Sequence, residues 1–273
     1  MIYSIKQFPD KKFTDKMDLT RFVKKNLEDI YRSKLMEYKN NANKIVDISN
    51  LEANFTPKTG DITGDVIRVK AIINSTNIID SHLDLHTRNT WNKSVKENKT
   101  TYILQEHANK FTHVISRKGK NINESMNFKD FGFDDMDFTA NISEFILKRE
   151  DNPFMFDQYA QGKVSNHSVG MLYVLGKLEL AIYDEDSEKN MAFFEKYKEQ
   201  AINPEVADDN GFFWVVSEAV KREGSAVVFG SNPITPTLEV LNYEPSAGHS
   251  DLNKYEPSND TQDILKELFN FKF

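Results

Sequence analysis

The chain of 273 residues contains no cysteine, and this absence excludes several kinds of chemistry at once. Disulfide bonds, thiolate metal sites and cysteine nucleophiles all require a sulfhydryl group. Glycine and proline are also scarce, at 11 and 8 residues, so the chain is neither fibrous nor of low complexity. No stretch approaches the roughly 18 consecutive apolar residues of a membrane-spanning helix. Residues 1–6 lack the apolar run of a signal peptide, so we expect an intracellular globular protein.

Basic residues are fewer than acidic ones, with 35 Lys and Arg against 42 Asp and Glu, and the net charge is −7. This balance disfavours non-specific binding to nucleic acid, which depends on clustered lysine and arginine. Aromatic residues, by contrast, are plentiful, with 20 Phe and 10 Tyr. A chain of this length and composition can bury a sizeable core. We therefore expect a soluble protein whose partners are neither nucleic acid nor membrane.

Apolar residues recur at helical spacing between residues 18 and 39, and charged residues occupy the opposite face. Asp18 stands where a helix N-cap is expected. The pattern predicts one amphipathic helix within an N-terminal extension of residues 1–60. Its apolar stripe is expected to pack on the rest of the domain or on a partner, because both signs of charge occur on the polar face.

Residues 61–240 contain short β-branched runs bounded by turn residues, a pattern typical of strands. Strands are predicted at residues 66–73, 102–104, 113–115, 138–142, 168–173, 178–182 and 227–229, and helices at residues 88–98 and 152–159. Because strands and helices do not strictly alternate, a doubly wound parallel sheet is disfavoured. The sequence predicts an α+β fold with a barrel-like, mostly antiparallel sheet flanked by helices.

Two segments differ in composition from this body. Residues 184–210 are strongly acidic and are predicted to form a surface insertion that contains a helical stretch. Residues 241–273 begin with a region rich in Pro, Ser, Asn and Asp and end with a short apolar stripe. We interpret this second segment as a linker followed by a C-terminal docking helix.

Several common catalytic motifs are absent from the sequence, including the G-x-S-x-G elbow, the phosphate-binding glycine loops and H-E-x-x-H. His82 and His86 lie four residues apart around Asp84, a spacing that can hold a metal ion on a helix. The alternation with Leu83 and Leu85 predicts an extended strand instead, and no third ligand is evident. We therefore predict no metal and no cofactor.

A histidine and a serine stand at positions that suit acyl transfer. His107 follows the predicted strand at residues 102–104, where a rigid element meets a polar loop, as a general base requires. Ser168 begins another predicted strand, and its hydroxyl needs such a base to become a nucleophile. His167 is adjacent to Ser168 but points to the opposite face of a strand, so His107 is the better candidate base. On local sequence alone, the alternative for each residue is an ordinary structural role, as a histidine or a serine at the end of a strand.

The backbone next to Ser168 and a distant carboxylate complete the candidate set. The N–H groups of Val169 and Gly170 could stabilise a developing oxyanion, and glycine permits close approach. Glu223 precedes the predicted strand at residues 227–229, where a carboxylate could orient an imidazole. The alternative for Glu223 is a solvated side chain beside Lys221 and Arg222.

Four segments in order, Asn77–Asp84, Leu104–His107, His167–Met171 and Glu223–Pro233, resemble segments of a known family. The family is that of the prohead, or capsid maturation, serine proteases of tailed double-stranded DNA phages, which is related in fold to the herpesvirus assemblins. The similarity extends from about residue 66 to residue 238. The resemblance implies that residues 61–240 form a serine protease domain, with Ser168 as nucleophile, His107 as base and Glu223 as the acidic third member. His167, Asp80 and Asp84 stay open as alternatives for that third role.

The resemblance also implies a biological setting. The expected activity is that of a serine endopeptidase that cleaves scaffolding protein, capsid-protein segments and itself during capsid maturation. The implied partners are scaffolding protein and major capsid protein, with a homo-oligomer possible, and the implied location is the host cytoplasm, inside the procapsid. The alternative is a catalytically inactive, capsid- or scaffold-associated protein that retains the protease fold. A hydrolase of another fold is disfavoured by the missing elbow motif.

Overall fold

An eight-stranded sheet lies at the centre of the computed structural model, which describes residues 3–5, 8–36, 48 and 51–243. The strands are β1 (Tyr3–Ile5), β2 (Phe8–Phe13), β3 (Lys58–Thr59), β4 (Val66–Ser75), β5 (Asp84–His86), β6 (Thr100–Gln105), β7 (Val114–Asn127), β8 (Asp137–Lys148), β9 (Asn166–Tyr173), β10 (Leu178–Ile182), β11 (Phe212–Val216), β12 (Ala219–Val227) and β13 (Thr237–Asn242). The α-helices are α1 (Lys16–Lys25), α2 (Leu27–Met36), α3 (Asn92–Glu97), α4 (Pro153–Ala160), α5 (Glu188–Lys198) and α6 (Glu205–Asn210). The predicted C-terminal docking helix lies outside the described residues.

The strand order of the large sheet is β3-β13-β4-β8-β7-β6-β12-β9, and its pairs are antiparallel except β12–β6 and β13–β3. A three-stranded sheet, β10-β11-β5, and the β1–β2 hairpin accompany it. This arrangement confirms the predicted α+β class with mostly antiparallel pairing. The pairing does not close a barrel within the described ranges. The outer edge of β9 is paired with the loop that contains Thr235 instead of with a strand. The His167 N–H donates to the Thr235 carbonyl there at 3.1 Å.

The predicted helix at residues 18–39 is two helices over its described part, which ends at Met36, and its predicted cap is wrong. Asp15, not Asp18, is the N-cap of α1, and its carboxylate accepts hydrogen bonds from the N–H groups of Met17 and Asp18. Asn26 ends α1: both its backbone N–H and its side-chain amide donate to the Phe22 carbonyl. Asparagine favours such local bonds over helix continuation. The 3.6-residue spacing continues through the break, so periodicity alone does not reveal it.

One apolar core contains residues from the predicted N-terminal extension, from the β-rich body and from the acidic segment. It contains Val23 and Ile30 of the two N-terminal helices together with Met171 of β9. Phe194 of α5 and Ala207 of α6 are buried in the same cluster. The described residues up to Asn242 accordingly belong to one compact unit. The acidic segment of residues 184–210 thus has an apolar face that packs inside the molecule, and it also places charges on the surface.

A buried ion pair fixes α2 to this core. Lys34 forms an ion pair with Asp84 at 2.8 Å, and both side chains are almost completely buried. The Tyr173 hydroxyl donates to the other Asp84 oxygen at 2.5 Å, and the Lys34 ammonium lies 5.3 Å from the Tyr173 ring centre. Breaking a buried pair by removing one partner is strongly destabilising. Asp84 therefore has a structural partner in a helix that the sequence shows only as amphipathic.

None of the helices within the described ranges has the length and apolar character needed to cross a bilayer.

Candidate active site

Three strands bring the predicted site residues together on one face of the large sheet. Strand β12 lies between β6 and β9, and Ser225 is opposite Leu104 on one side and Ser168 on the other. Side chains at alternate strand positions share a face, and directly opposed residues are close neighbours. Glu223, Ser225 and Ser168 therefore lie on the same face. Glu223 is within β12 rather than before a strand, which corrects the sequence-based placement.

A β-bulge explains why the carboxylate reaches this face. Lys221 is opposite Met171 and Glu223 is opposite Gly170, so β12 has one more residue than β9 at this point. Such a bulge re-aims side chains next to it. Arg222 and Glu223 consequently both line the cleft described below, whereas Lys221 is buried. The predicted strand at residues 227–229 is also displaced, because β12 ends at Val227.

His107 reaches β12 through two residues with left-handed backbone conformation. Glu106 has φ of 53° and His107 has φ of 56°, directly after the end of β6. Non-glycine residues in this region cost of the order of 1–3 kcal/mol each and persist only when the surroundings hold them. Here the Glu106 N–H donates to the Ala226 carbonyl at 2.9 Å, and the His107 N–H donates to Ser225 Oγ at 3.1 Å. The prediction of His107 at the end of a strand is confirmed.

The imidazole and the carboxylate are in direct contact. His107 Nδ1 lies 2.5 Å from Glu223 Oε1, and the two side chains are only 5% and 6% exposed. Glu223 Oε2 accepts a hydrogen bond from Ser225 Oγ at 2.7 Å. An ionised carboxylate only accepts, so His107 carries its proton on Nδ1 and presents Nε2 as an acceptor. Among the described residues, Nε2 has no hydrogen-bond partner.

Ser168 is near this pair but not in hydrogen-bond contact with the base. It is 2% exposed on β9, directly across from Ser225. Because Nε2 of His107 has no partner in the described part of the chain, the bond that would activate Ser168 is not formed in this conformation. Catalytic hydrogen bonds are often long without substrate and tighten when it binds. The structure thus joins His107 to Glu223 and places Ser168 one strand away.

The two predicted oxyanion donors differ in where their N–H groups point. The His167 N–H points to the outer edge of β9, towards Thr235. Along an antiparallel edge strand these directions alternate, so the Val169 N–H points to the same outer edge and the Gly170 N–H points towards β12. Val169 is therefore the better placed donor next to Ser168, and Gly170 faces the strand that carries Glu223.

A cleft of about 690 Å³ opens beside His107 and Glu223. It is lined by Tyr102, Leu104, His107, Asn109, Lys110, Phe111, Val114, Arg117, Arg222 and Glu223. Its lining is mixed, with apolar side chains from β6 and the following loop and with cationic side chains at Lys110, Arg117 and Arg222. Ser168 does not line it. The cleft, a concave and mixed polar–apolar surface of the kind that binds ligands, thus contains His107 and Glu223 in its wall.

His167 is a structural residue of the opposite face. Its Nδ1 donates to the Thr235 carbonyl at 3.0 Å, and its Nε2 accepts from the Tyr159 hydroxyl at 3.0 Å. Complete burial lowers the pKa of His167 to about 4, with a further lowering from the nearby Lys221 charge, against the hydrogen bond to Thr235. The ring is therefore neutral and fully engaged, which removes His167 as a third member of the site.

The acidic alternatives also lie elsewhere. Asp80 accepts hydrogen bonds from the N–H groups of His82 and Asp84, and Asp84 is held by Lys34 and Tyr173. Strand β5, which carries Asp84 and His86, belongs to the three-stranded sheet. The described residues contain no group of three His, Asp or Glu side chains arranged to hold a metal ion.

Sequence reasoning missed two residues of β12. Ser225 belongs to the segment Glu223–Pro233, and its spacing of two residues from Glu223 places both side chains on one face of the strand. Lys221 enters the sequence analysis only as a neighbour in the alternative of a solvated Glu223. In the structure it is buried, and its ammonium donates to Asn141 Oδ1 at 2.9 Å and Ser143 Oγ at 2.8 Å. Burial lowers the pKa of Lys221 to about 7, and the Glu223 charge opposes part of that shift. The β-bulge in β12, which leaves Lys221 buried and Glu223 in the cleft, is not signalled by the sequence.

The lowered pKa of Lys221 predicts a specific pH dependence of stability. From about pH 7 to its ordinary value of 10.5, the unfolded chain holds a proton that the folded protein releases. The free energy of unfolding therefore rises with pH in this window, by at most about 1.4 kcal/mol per pH unit from one group. Replacing Lys221 with methionine removes this contribution. Urea unfolding of the wild-type protein and of Lys221→Met, repeated from about pH 7 to about pH 10, measures this contribution. An equal change in the free energy of unfolding with pH in the two proteins would contradict the prediction.

No protein-family model, curated protein or solved structure matches this chain.

Proposed function

We propose that this protein is a serine endopeptidase of the prohead-protease kind, which cleaves scaffolding protein, capsid-protein segments and itself during capsid maturation. The single observation that carries the proposal is the buried contact of 2.5 Å between His107 Nδ1 and Glu223 Oε1. That contact leaves Nε2 of His107 as an acceptor beside a cleft, with Ser168 on the neighbouring strand. The order of the four resembling segments adds the assemblin-like fold and the capsid setting to the proposal.

The proposed reaction is acyl transfer. His107 Nε2 takes the proton of Ser168 Oγ while that oxygen attacks the peptide carbonyl. Glu223 holds the imidazole in the required tautomer and stabilises its charged form. The Val169 N–H is the backbone donor for the oxyanion. His107 then gives its proton to the leaving amine, and a water molecule activated by the same nitrogen hydrolyses the acyl-enzyme.

Substrate binding has to complete the contact between base and nucleophile. Ser225 lies between the two residues: its hydroxyl accepts from the His107 backbone, and its position in the strand is opposite Ser168. A rotation of the Ser168 side chain, with the His107–Glu223 contact kept and without movement of the sheet, is the change that we propose joins them. Side-chain changes of this size are common on binding.

Covalent labelling tests the nucleophile directly. The protein is incubated with a fluorophosphonate, digested and examined by mass spectrometry. We expect the phosphonyl adduct on Ser168, because only a serine with an adjacent base attacks phosphorus at neutral pH. The adduct should be absent from the His107→Ala variant. An adduct on Ser225, or none on the wild-type protein, would contradict the assignment.

A second experiment tests the substrate class. The purified protein is incubated with scaffold-derived polypeptide, and the new termini are read by mass spectrometry. Discrete internal cleavage that the labelled protein no longer performs supports the proposal. Intact scaffold in every reaction counts against it.

The second candidate function is a non-catalytic capsid or scaffold component with the same fold. The observation that favours it is the missing partner of His107 Nε2 among the described residues, which leaves the triad unassembled. This reading predicts no phosphonyl adduct and no cleavage, together with stable binding of scaffolding protein in a pull-down from purified components.

A further inference from the structure

Ser225 occupies the centre of the candidate site although it is not one of the three reacting groups. Its side chain is completely buried. Its hydroxyl donates to Glu223 Oε2 at 2.7 Å and accepts from the His107 backbone N–H at 3.1 Å. The hydroxyl oxygen of Ser225 therefore forms hydrogen bonds with both Glu223 and His107.

We propose that Ser225 is a positioning residue that holds His107 and Glu223 in the arrangement needed for proton transfer. Its effect on catalysis rests on the proposed peptidase function. Its effect on the geometry of the pair does not, and can be measured on the resting protein.

The carboxylate of Glu223 needs a second hydrogen bond, because the last torsion of its side chain rotates easily. The last torsion of a glutamate side chain has a broad distribution, so one hydrogen bond alone does not fix the carboxylate plane. Here Oε1 contacts His107 and Oε2 contacts Ser225, so both oxygens are held. Without the Ser225 hydroxyl, rotation of the carboxylate would lengthen the contact with Nδ1.

The backbone of the base needs an anchor for a different reason. Glu106 and His107 are consecutive non-glycine residues with positive φ, a conformation that requires support from its surroundings. The Ala226 carbonyl holds the N–H of Glu106, and the Ser225 hydroxyl holds the N–H of His107. The second of these bonds comes from a side chain, so a single substitution removes it.

The register of the strands explains why this position can serve both residues. Ser225 is opposite Leu104, three residues before His107, and it is two residues after Glu223 on the same face. A hydroxyl on a short side chain at position 225 therefore lies between two features. One is strand β6, which precedes His107, and the other is the carboxylate of Glu223. Alanine has neither the donor nor the acceptor.

The test compares Ser225→Ala with a matched control, Ser75→Ala. Ser75 is also completely buried and donates one hydrogen bond, to the Ile234 carbonyl at 2.6 Å, but it does not contact the pair. Proton NMR of the resting protein follows the Nδ1–H signal of His107. We expect this signal to move upfield and to exchange faster with water in Ser225→Ala, and to stay unchanged in Ser75→Ala.

The kinetic readout separates positioning from binding. A misplacement of about 1 Å in a catalytic group costs up to about 100-fold in rate, so we expect kcat of Ser225→Ala to fall by about 10- to 100-fold with KM nearly unchanged. Ser225→Cys retains side-chain bulk but only a weak donor and acceptor. It should behave like the alanine variant and decides the question if that variant fails to fold.

An unchanged Nδ1–H signal together with wild-type kcat in the Ser225 variants would overturn the proposal. If the wild-type protein cleaves no peptide, the proposed function fails, and the NMR comparison alone decides whether Ser225 positions the pair.

Discussion

Replacing Ser168 by alanine is expected to abolish peptide cleavage while the protein stays folded. Removal of the nucleophilic oxygen from a serine–histidine–acid site costs about 10⁶-fold in kcat, because no other group can form the acyl-enzyme. The structural cost is small by comparison. Loss of one buried hydroxyl changes the free energy of unfolding by about 1 kcal/mol. Cleavage of scaffold-derived polypeptide, quantified by mass spectrometry, measures the first effect, and thermal unfolding measures the second.

Ser231→Ala is the matched control for this variant. Ser231 is 3% exposed, against 2% for Ser168, and its side chain is not part of the cleft. We expect it to retain wild-type cleavage. A Ser168→Ala protein that still processes scaffold would move the nucleophile to another residue and remove the basis of the proposed mechanism.

Replacing Glu223 by glutamine is expected to lower kcat by about 10⁴-fold, the size of effect known for loss of the charge behind a catalytic histidine. The hydrogen bonds of the site make the reason concrete. If the glutamine NH₂ group faces His107, Nδ1 has to accept, and the proton then sits on Nε2, where the base must be free. If the NH₂ group faces Ser225, that hydroxyl receives two donors, because the His107 N–H already donates to it, and loses its own acceptor. Neither orientation reproduces the native pattern.

The measurement is kcat for scaffold-derived peptide, with thermal unfolding to show that the variant is folded. Glu144→Gln is the control, since Glu144 is half-buried on β8, pairs with Arg68 and does not line the cleft. It should leave kcat unchanged. Activity of Glu223→Gln within tenfold of wild type would show that the carboxylate does not orient the base.

Local signals in the sequence were sufficient for much of the fold. The β-branched run at residues 66–73 is the core of β4, and the apolar residues 102–104 lie in β6 directly before His107. Strand β9 covers the predicted strand at residues 168–173 and begins two residues earlier, at Asn166. These features depend on side-chain periodicity and turn residues, which a single sequence displays.

Other features depend on pairing between distant segments and could not be predicted in this way. The parallel alignment of β6 with β12 and the bulge before Glu223 are properties of two strands together. The left-handed conformation of Glu106 and His107 could not be predicted, because neither residue is a glycine or asparagine, which adopt positive φ more readily. The burial of Lys34 and Lys221 follows from tertiary partners, since lysine is almost never buried without them.

The distance along the chain between the two contacting side chains has a consequence for how the protein is made. His107 and Glu223 are 116 positions apart, and their contact requires closure of a loop of that length. Such long-range pairing forms slowly compared with local structure. A nascent chain therefore has no oriented His107 imidazole until strand β12 has left the ribosome and paired with β6. If the proposed peptidase activity holds, this delay would keep newly made proteins from being cleaved before the protein has folded.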